Sequence, residues 1–310
     1  MPDADDVIEF SPPPAEPAHV NPFRSRLLIA AAAAVIVAVV VLVAVKPGVP
    51  GVPSVPGGNP ALARLIAQVT GVPASTSDAA GGGASQNVTG PTAVTSTGSP
   101  LVAGGKPQVL FVGEEFCPYC ATESWAMIVA LSRFGTFTGL STIRSARYDI
   151  YPPLATWTFY GSAFTSKYLA FVSVETTSNV LINGKHDTQA KSSYTRLQKL
   201  TAAQQSIYAK YDTLDVLPFL DIGNKYVMLG SSFSPSVLAH QTWNQIAAAL
   251  RNPRSPAGQA ILGTANYITK AICALTDNQP ATACTPAVRS LPPSRPTAVP
   301  AASIIAPSST

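Results

Sequence analysis

The chain has 310 residues and a formal charge of +4, with 46% apolar residues, and its large side chains are unevenly spread. Of its three Trp, ten Tyr and eleven Phe, only Phe10 and Phe23 lie outside residues 106–285, whereas 20 of the 29 prolines do. A packed core needs large apolar side chains, so one domain is expected at 106–285 and two equal domains are excluded. No basic run interleaves with aromatics, which argues against a nucleic-acid surface. With three histidines in the chain, a histidine-rich metal site and a histidine-dependent triad have little material.

Taken in chain order, residues 1–26 read as a disordered tail. Leu27–Val45 (LLIAAAAAVIVAVVVLVAV) contains no polar residue. As a helix it would be about 28 Å long, close to the thickness of a bilayer core. The run is longer than the apolar part of a signal peptide, and Lys46-Pro47 follows directly, so an uncleaved anchor is expected. Arg24 and Arg26 before the span place the N-terminus in the cytoplasm and the domain outside, in a single-pass arrangement at the cell membrane.

Residues 46–105 hold 20 Gly or Pro in 60 and only three charges, Lys46, Arg64 and Asp78. They read as a tether, with Ala61–Val69 as a short apolar patch able to dock on the domain. Residues 286–310 read as a second disordered tail.

Within 106–285, Gln108–Gly113 (QVLFVG) is the apolar run of a buried central strand. The helix Ala121–Phe134 follows, with its stripe at 127, 128, 131 and 134. Leu140–Asp149, Trp157–Tyr160 and Tyr168–Glu175 are expected strands, and Thr201–Tyr211 a helix. Val216–Ile222 and Lys225–Leu229 form a hairpin through Gly223-Asn224. Ser234-Pro235 opens a helix to Leu250, and Ser255-Pro256 another to Leu275. This order indicates an α/β or α+β layered domain.

The chemistry concentrates in Cys117-Pro118-Tyr119-Cys120, at the strand-to-helix junction. A thiol at a helix N-terminus meets unpaired N–H groups and the helix dipole, which stabilise a thiolate. Cys117 is the expected attacking thiol and Cys120 the resolving one. Glu114 and Glu115 would oppose that activation if they faced it. The alternatives are an inert disulfide and a zinc half-site. Zinc would want a second close pair, which Cys273 and Cys284, eleven apart, do not supply; no metal and no cofactor are expected. A Cys273–Cys284 bridge would pin the C-terminus of the domain. The competing role, an electron relay, lacks any visible activation of either thiol. Four cysteines suit an oxidising compartment.

Phe116-Cys117-Pro118-Tyr119-Cys120 after a buried strand resembles the active site of the thioredoxin superfamily, and C-P-Y-C is the tetrapeptide typical of glutaredoxins. LPFLDIGNKY at 217–226 resembles that superfamily's cis-proline strand and hairpin. The resemblance implies a cis Pro218 that faces the cysteine pair and binds substrate backbone, with Leu217 beside it and Pro118 and Tyr119 in the motif. Together with SRFGTFTGL, YDIYPPLATWTFYGSAFTSKYLAF, SPSVLAHQTWNQIAAAL and ICALTDNQPATAC, the chain resembles an uncharacterised family of membrane-anchored, thioredoxin-like proteins of archaea and actinobacteria over about residues 60–285. That implies an α/β thioredoxin-like fold, with residues 150–213 inserted between the motif helix with its next strand and the cis-proline hairpin.

The aromatic group Tyr148, Tyr151, Trp157, Phe159, Tyr160, Phe164 and Tyr168 reads as core beneath a long loop, or else as a cap on the active site. The expected function is a membrane-anchored, extracytoplasmic thiol–disulfide oxidoreductase acting on protein thiols and disulfides of the cell envelope. The alternative is a non-catalytic binding or scaffold protein with structural disulfides. A membrane redox partner rests on the anchor alone.

Overall fold

The computed structural model describes residues 59–95, 99–147, 150–183 and 191–295. The expected anchor Leu27–Val45, the first tail and most of the second lie outside them, as do Tyr148 and His186. Among the described residues no helix is long and apolar enough to cross a membrane.

The fold is a mixed α/β arrangement built around one mixed sheet. Its centre is β3 (Lys106–Gly113), preceded by the two-residue strands β1 (Thr92–Ala93) and β2 (Val102–Ala103). Helix α3 (Pro118–Leu131) leaves its carboxyl end; α1 (Pro60–Thr70) and α2 (Ala74–Ala80) come earlier in the chain. On one side β3 pairs in parallel with β8 (Ala170–Glu175), from Gln108↔Ala170 to Gly113↔Glu175. On the other it pairs antiparallel with β11 (Phe219–Ile222), which pairs with β12 (Tyr226–Leu229), and β1 closes that edge. Gly223 and Asn224 both take positive φ, 67° and 58°, in the expected turn, a conformation that glycine adopts freely and asparagine tolerates.

Alternation along β3 explains its unbroken apolar sequence, because both faces are covered. Val109 and Phe111, with Leu220, Ile222 and Met228, belong to the large core shared with α3 and with α6 (Pro256–Leu275). Leu110 and Val112, with Val174, Phe219 and Val227, form a smaller core under Tyr208 of α4 (Ala202–Tyr211). Residues 118 and 120–131 of α3 are all buried, as suits a helix enclosed on every side. Trp125 is fully enclosed and its indole N–H donates to Ala155 O at 2.9 Å.

Five expectations change. The strand expected at Leu140–Asp149 is only β5 (Ser141–Arg144), and it pairs antiparallel with β6 (Ala155–Thr158) instead of joining the central sheet. The strand that follows the motif helix in the sheet is therefore β8. The inserted chain falls in two parts, one on either side of β8, rather than as a single block at 150–213. The first part also carries β4 (Thr136–Thr138) and β7 (Ala163–Thr165), which pair with each other. The second carries β9 (Thr177–Leu181) and β10 (Tyr194–Arg196).

The helix expected from Ser234 to Leu250 is interrupted. Pro235–Leu238 is a single 3-10 turn, His240 takes a φ of 62°, and α5 (Trp243–Ala249) begins afresh at Thr242 with a reciprocal Thr242–Gln245 capping box.

The stretch read as a tether carries structure from Asn59 onward. Leu65 and Val69 of α1 are buried in the large core, as are Ala80 and Val88. Its glycines permit close packing: a Cβ on Gly263 of α6 would lie 2.6 Å from Gly83 Cα. At the other end α7 (Pro286–Arg289) buries Val288, and Ser294 Oγ donates to Pro91 O at 2.6 Å, so the start of the second tail also packs on the domain.

Candidate functional site

The site forms where β3 and β8 end side by side, the place at which parallel strands present ligands and reactive groups. Gly113 closes β3 opposite Glu175. A Cβ there would lie 2.6 Å from the Phe111 ring and 3.2 Å from a Glu175 carboxylate oxygen, so only glycine lets the chain pass. The segment 114–117 then turns, with Cys117 N–H donating to Glu114 O at 3.2 Å, into the first turn of α3.

Cys117 is the N-cap of that helix, and its Sγ accepts from Cys120 N–H at 3.4 Å. Pro118, at the first helical position, removes an N–H that would lack an intrahelical partner. Neither thiol is bonded; Cys117 is half-buried and Cys120 is only 3% exposed. One sulfur therefore meets solvent while its neighbour one turn on does not. Burial, reinforced by the adjoining Cys117 and by the charge of Glu175, pushes the Cys120 thiol well above its ordinary value, against a backbone hydrogen bond from Glu114.

Glu175 is the carboxylate that the sequence does not announce. It is buried at the end of β8; one oxygen accepts from Phe159 N–H at 3.5 Å and the other has no hydrogen-bond partner among the described residues. Burial, with the charges of Glu115 and Glu114 adding to it and the Phe159 N–H opposing, raises this carboxyl to about 8.

Glu114 turns away to accept from Thr176 and Thr177 hydroxyls at 2.9 and 3.1 Å and from Lys191 Nζ at 3.0 Å. Glu115 accepts from Asn179 N–H at 3.3 Å. Among the acids near the motif, it is Glu175 whose charge raises the Cys120 thiol, after burial and the adjoining Cys117. The visible signal was a lone acid closing the strand Ala170–Glu175.

The two insertions clamp the motif loop. Phe116 stacks on Tyr194 of β10 with centroids 4.5 Å apart, and its carbonyl accepts from Ala146 N–H at 2.7 Å. Glu115 N–H donates to Thr177 O at 2.9 Å. Tyr119 meets Tyr151 edge-on at 5.9 Å. Of the aromatic group, Trp157 and Phe159 are core, Phe164 and Tyr168 pack against it, Tyr160 is exposed, and Tyr151 meets the motif's Tyr119.

Leu217–Pro218 is a cis peptide, as the resemblance implies. Pro218 is buried and heads β11; since Phe219 opposes Val112, Pro218 comes to the end of β3 from which the motif leaves, with half-buried Leu217 before it. Cys273 and Cys284 are joined in a disulfide, 1% and 3% exposed, inside the large core and outside the motif's hydrogen-bonded surroundings.

Residues 93–274 match a family model described as a domain of unknown function, DUF929. The match covers more than half of the chain. The chain belongs to that family. No curated protein and no solved structure matches the chain, so its chemistry is argued from its own residues. In this DUF929 chain the matched span takes in both strands of the site, the cysteine motif and Pro218, while α1 and α2 lie before it.

Proposed function

We propose that the protein is a thiol–disulfide oxidoreductase of thioredoxin-like fold, anchored by Leu27–Val45 with its domain outside the membrane and acting on protein thiols and disulfides of the cell envelope. The observation that carries the reading is the asymmetry of the motif: Cys117 is accessible at a helix N-cap, and Cys120 is buried within hydrogen-bond reach of it. The strand order supports the fold assignment. A central strand runs into the motif, with a parallel neighbour on one side and an antiparallel pair headed by Pro218 on the other.

In the reducing direction the Cys117 thiolate attacks one sulfur of a substrate disulfide. A Cys117–substrate disulfide forms and the other substrate sulfur leaves as a thiolate. Cys120 then gives up its proton and attacks Cys117 Sγ, which expels the second substrate thiolate and leaves a Cys117–Cys120 disulfide. Two electrons pass from the pair to the substrate; the oxidising direction is the reverse. The buried Cys120 thiol needs a proton acceptor, and Glu175 supplies one once it is ionised. No cofactor enters either direction.

The test is Cys120→Ser in native membranes. Mixed disulfides through Cys117 are expected to accumulate, to sediment with membranes and to disperse with dithiothreitol. Absence of adducts, with a wild-type pair that resists mild dithiols, would favour the permanent staple of a scaffold protein. Adducts in the soluble fraction would overturn the anchor while leaving the redox reading in place.

A further inference from the structure

Beside the motif, on the sheet face under α4, lies a cavity of about 350 Å³. Its apolar wall is made by Val112, Leu200 and Leu217, so it begins at the end of β3 and reaches the residue before Pro218. The rest of its lining is rich in hydrogen-bond donors. Arg196 and Lys199 are exposed, and neither side chain has an ion pair among the described residues. Gln198 accepts from Glu175 N–H through its amide oxygen at 2.8 Å, which leaves its NH2 group to donate, and Gln205 adds a second amide.

The carboxylate on the cavity wall is already engaged. Asp215 accepts from Lys191 Nζ at 3.2 Å and from Tyr208 OH at 2.8 Å, and Lys191 is shared with Glu114. Lys191 therefore faces two carboxylates, and with Arg196 and Lys199 the three cations outnumber Glu114 and Asp215 by one. Arg196 and Lys199, neither in an ion pair among the described residues, and the two amides over an aliphatic wall form a surface for carboxylates carried on short apolar stems.

We propose that this cavity is a substrate subsite that takes an acidic peptide segment flanking the cysteine of the protein undergoing exchange. The proposal rests on the thiol–disulfide reading. It deepens that reading by naming the substrate class: proteins whose reactive cysteine lies beside Asp or Glu. Its placement follows from the chain itself. Thr176 lines the cavity and hydrogen-bonds Glu114, three residues before Cys117, and Leu217 lines it next to Pro218, so the cavity borders both segments of the site.

The experiment uses the full-length chain, reduced, with three peptide disulfides that differ only in whether Asp, Ser or Lys flanks the cysteine, and with bis(2-hydroxyethyl) disulfide as a neutral small probe. The Asp peptide is expected to exchange about five- to tenfold faster than the Ser peptide at low salt, the equivalent of one or two exposed ion pairs. That ratio is expected to fall towards one in 0.5 M salt and to invert in the Arg196→Glu, Lys199→Glu double variant. Equal rates for the Asp and Ser peptides, or a preference for Lys, would overturn the subsite. Failure of the wild type to reduce the neutral disulfide would instead overturn the redox reading. Fluorescence anisotropy with Cys→Ser versions of the peptides then decides the cavity alone: tighter binding of the Asp peptide upholds it, and equal binding rejects it.

Discussion

A carboxyl group that keeps its proton until about pH 8 is an unusual neighbour for a thiol, and Glu175 is such a group. Below that pH it is neutral; above it, it can accept the proton of Cys120. Resolution of a trapped mixed disulfide is therefore expected to accelerate as pH rises through about 8, and Glu175→Gln is expected to remove that step. Stopped-flow release of the second substrate thiol, followed against pH, reads this directly, and an unchanged profile in the variant would refute it. A second buried acid acts on stability. Glu123 of α3 accepts from Ser232 N–H and Oγ at 3.0 and 3.4 Å and has no ion pair among the described residues, and burial lifts it to about 7 despite both hydrogen bonds. Its folded-state pKa is raised, so the stability it confers is complete below about 4.5 and is lost as pH rises through about 7. This amounts to on the order of 3 kcal/mol. Glu123→Gln is expected to flatten the urea midpoint between those values; an equally steep decline would show that other groups set it. Cys117 and Cys120 were legible because their chemistry is local, three residues within one helical turn. Glu175 was not, since only the pairing Gly113↔Glu175 brings it to the motif.

Elements were legible wherever a cap or an alternation spoke for itself. Ser255 caps its helix as expected, and Thr201, read as the first residue of a helix, is the cap of α4. The Ser234 signal, by contrast, opened only one turn, because the Thr242–Gln245 capping box competes eight residues later. Helix α1 shows the opposite failure. Composition made its surroundings look like a flexible leash, yet Leu65 and Val69 are buried on the domain, and α1 lies close to α3 and α5. Glycine and alanine here serve close approach, which composition cannot distinguish from looseness. Leu65→Ala is expected to cost about 2 kcal/mol or more in a denaturant titration, as for any core leucine. A value near zero would return this stretch to the role of a tether.

For the molecule as a whole, the two cysteine pairs differ: Cys273–Cys284 is joined and Cys117 and Cys120 are free. Cys273–Cys284 closes an eleven-residue separation at the end of α6 and lies buried in the large core. Replacing both with serine is expected to remove about 3 kcal/mol of stability in the loop-entropy picture, while thiol exchange at Cys117 continues below the new melting point. Exchange lost in a variant that remains folded would make this pair an electron relay instead. The family match spans the motif and both strands beside it, and the strand order brings together residues far apart in sequence.

The division of the inserted chain on either side of β8 has a consequence for how the protein is made. The central strand waits for partners roughly 60 and 110 residues downstream, and pairings of such span are slow because a long loop must close before any contact rewards it. The two thiols of the motif, three residues apart, can meet long before that. Until the strand Ala170–Glu175 has been made, Glu175 is missing from behind Cys117 and Cys120, so the surroundings described for the pair are complete only after the second half of the chain has been synthesised.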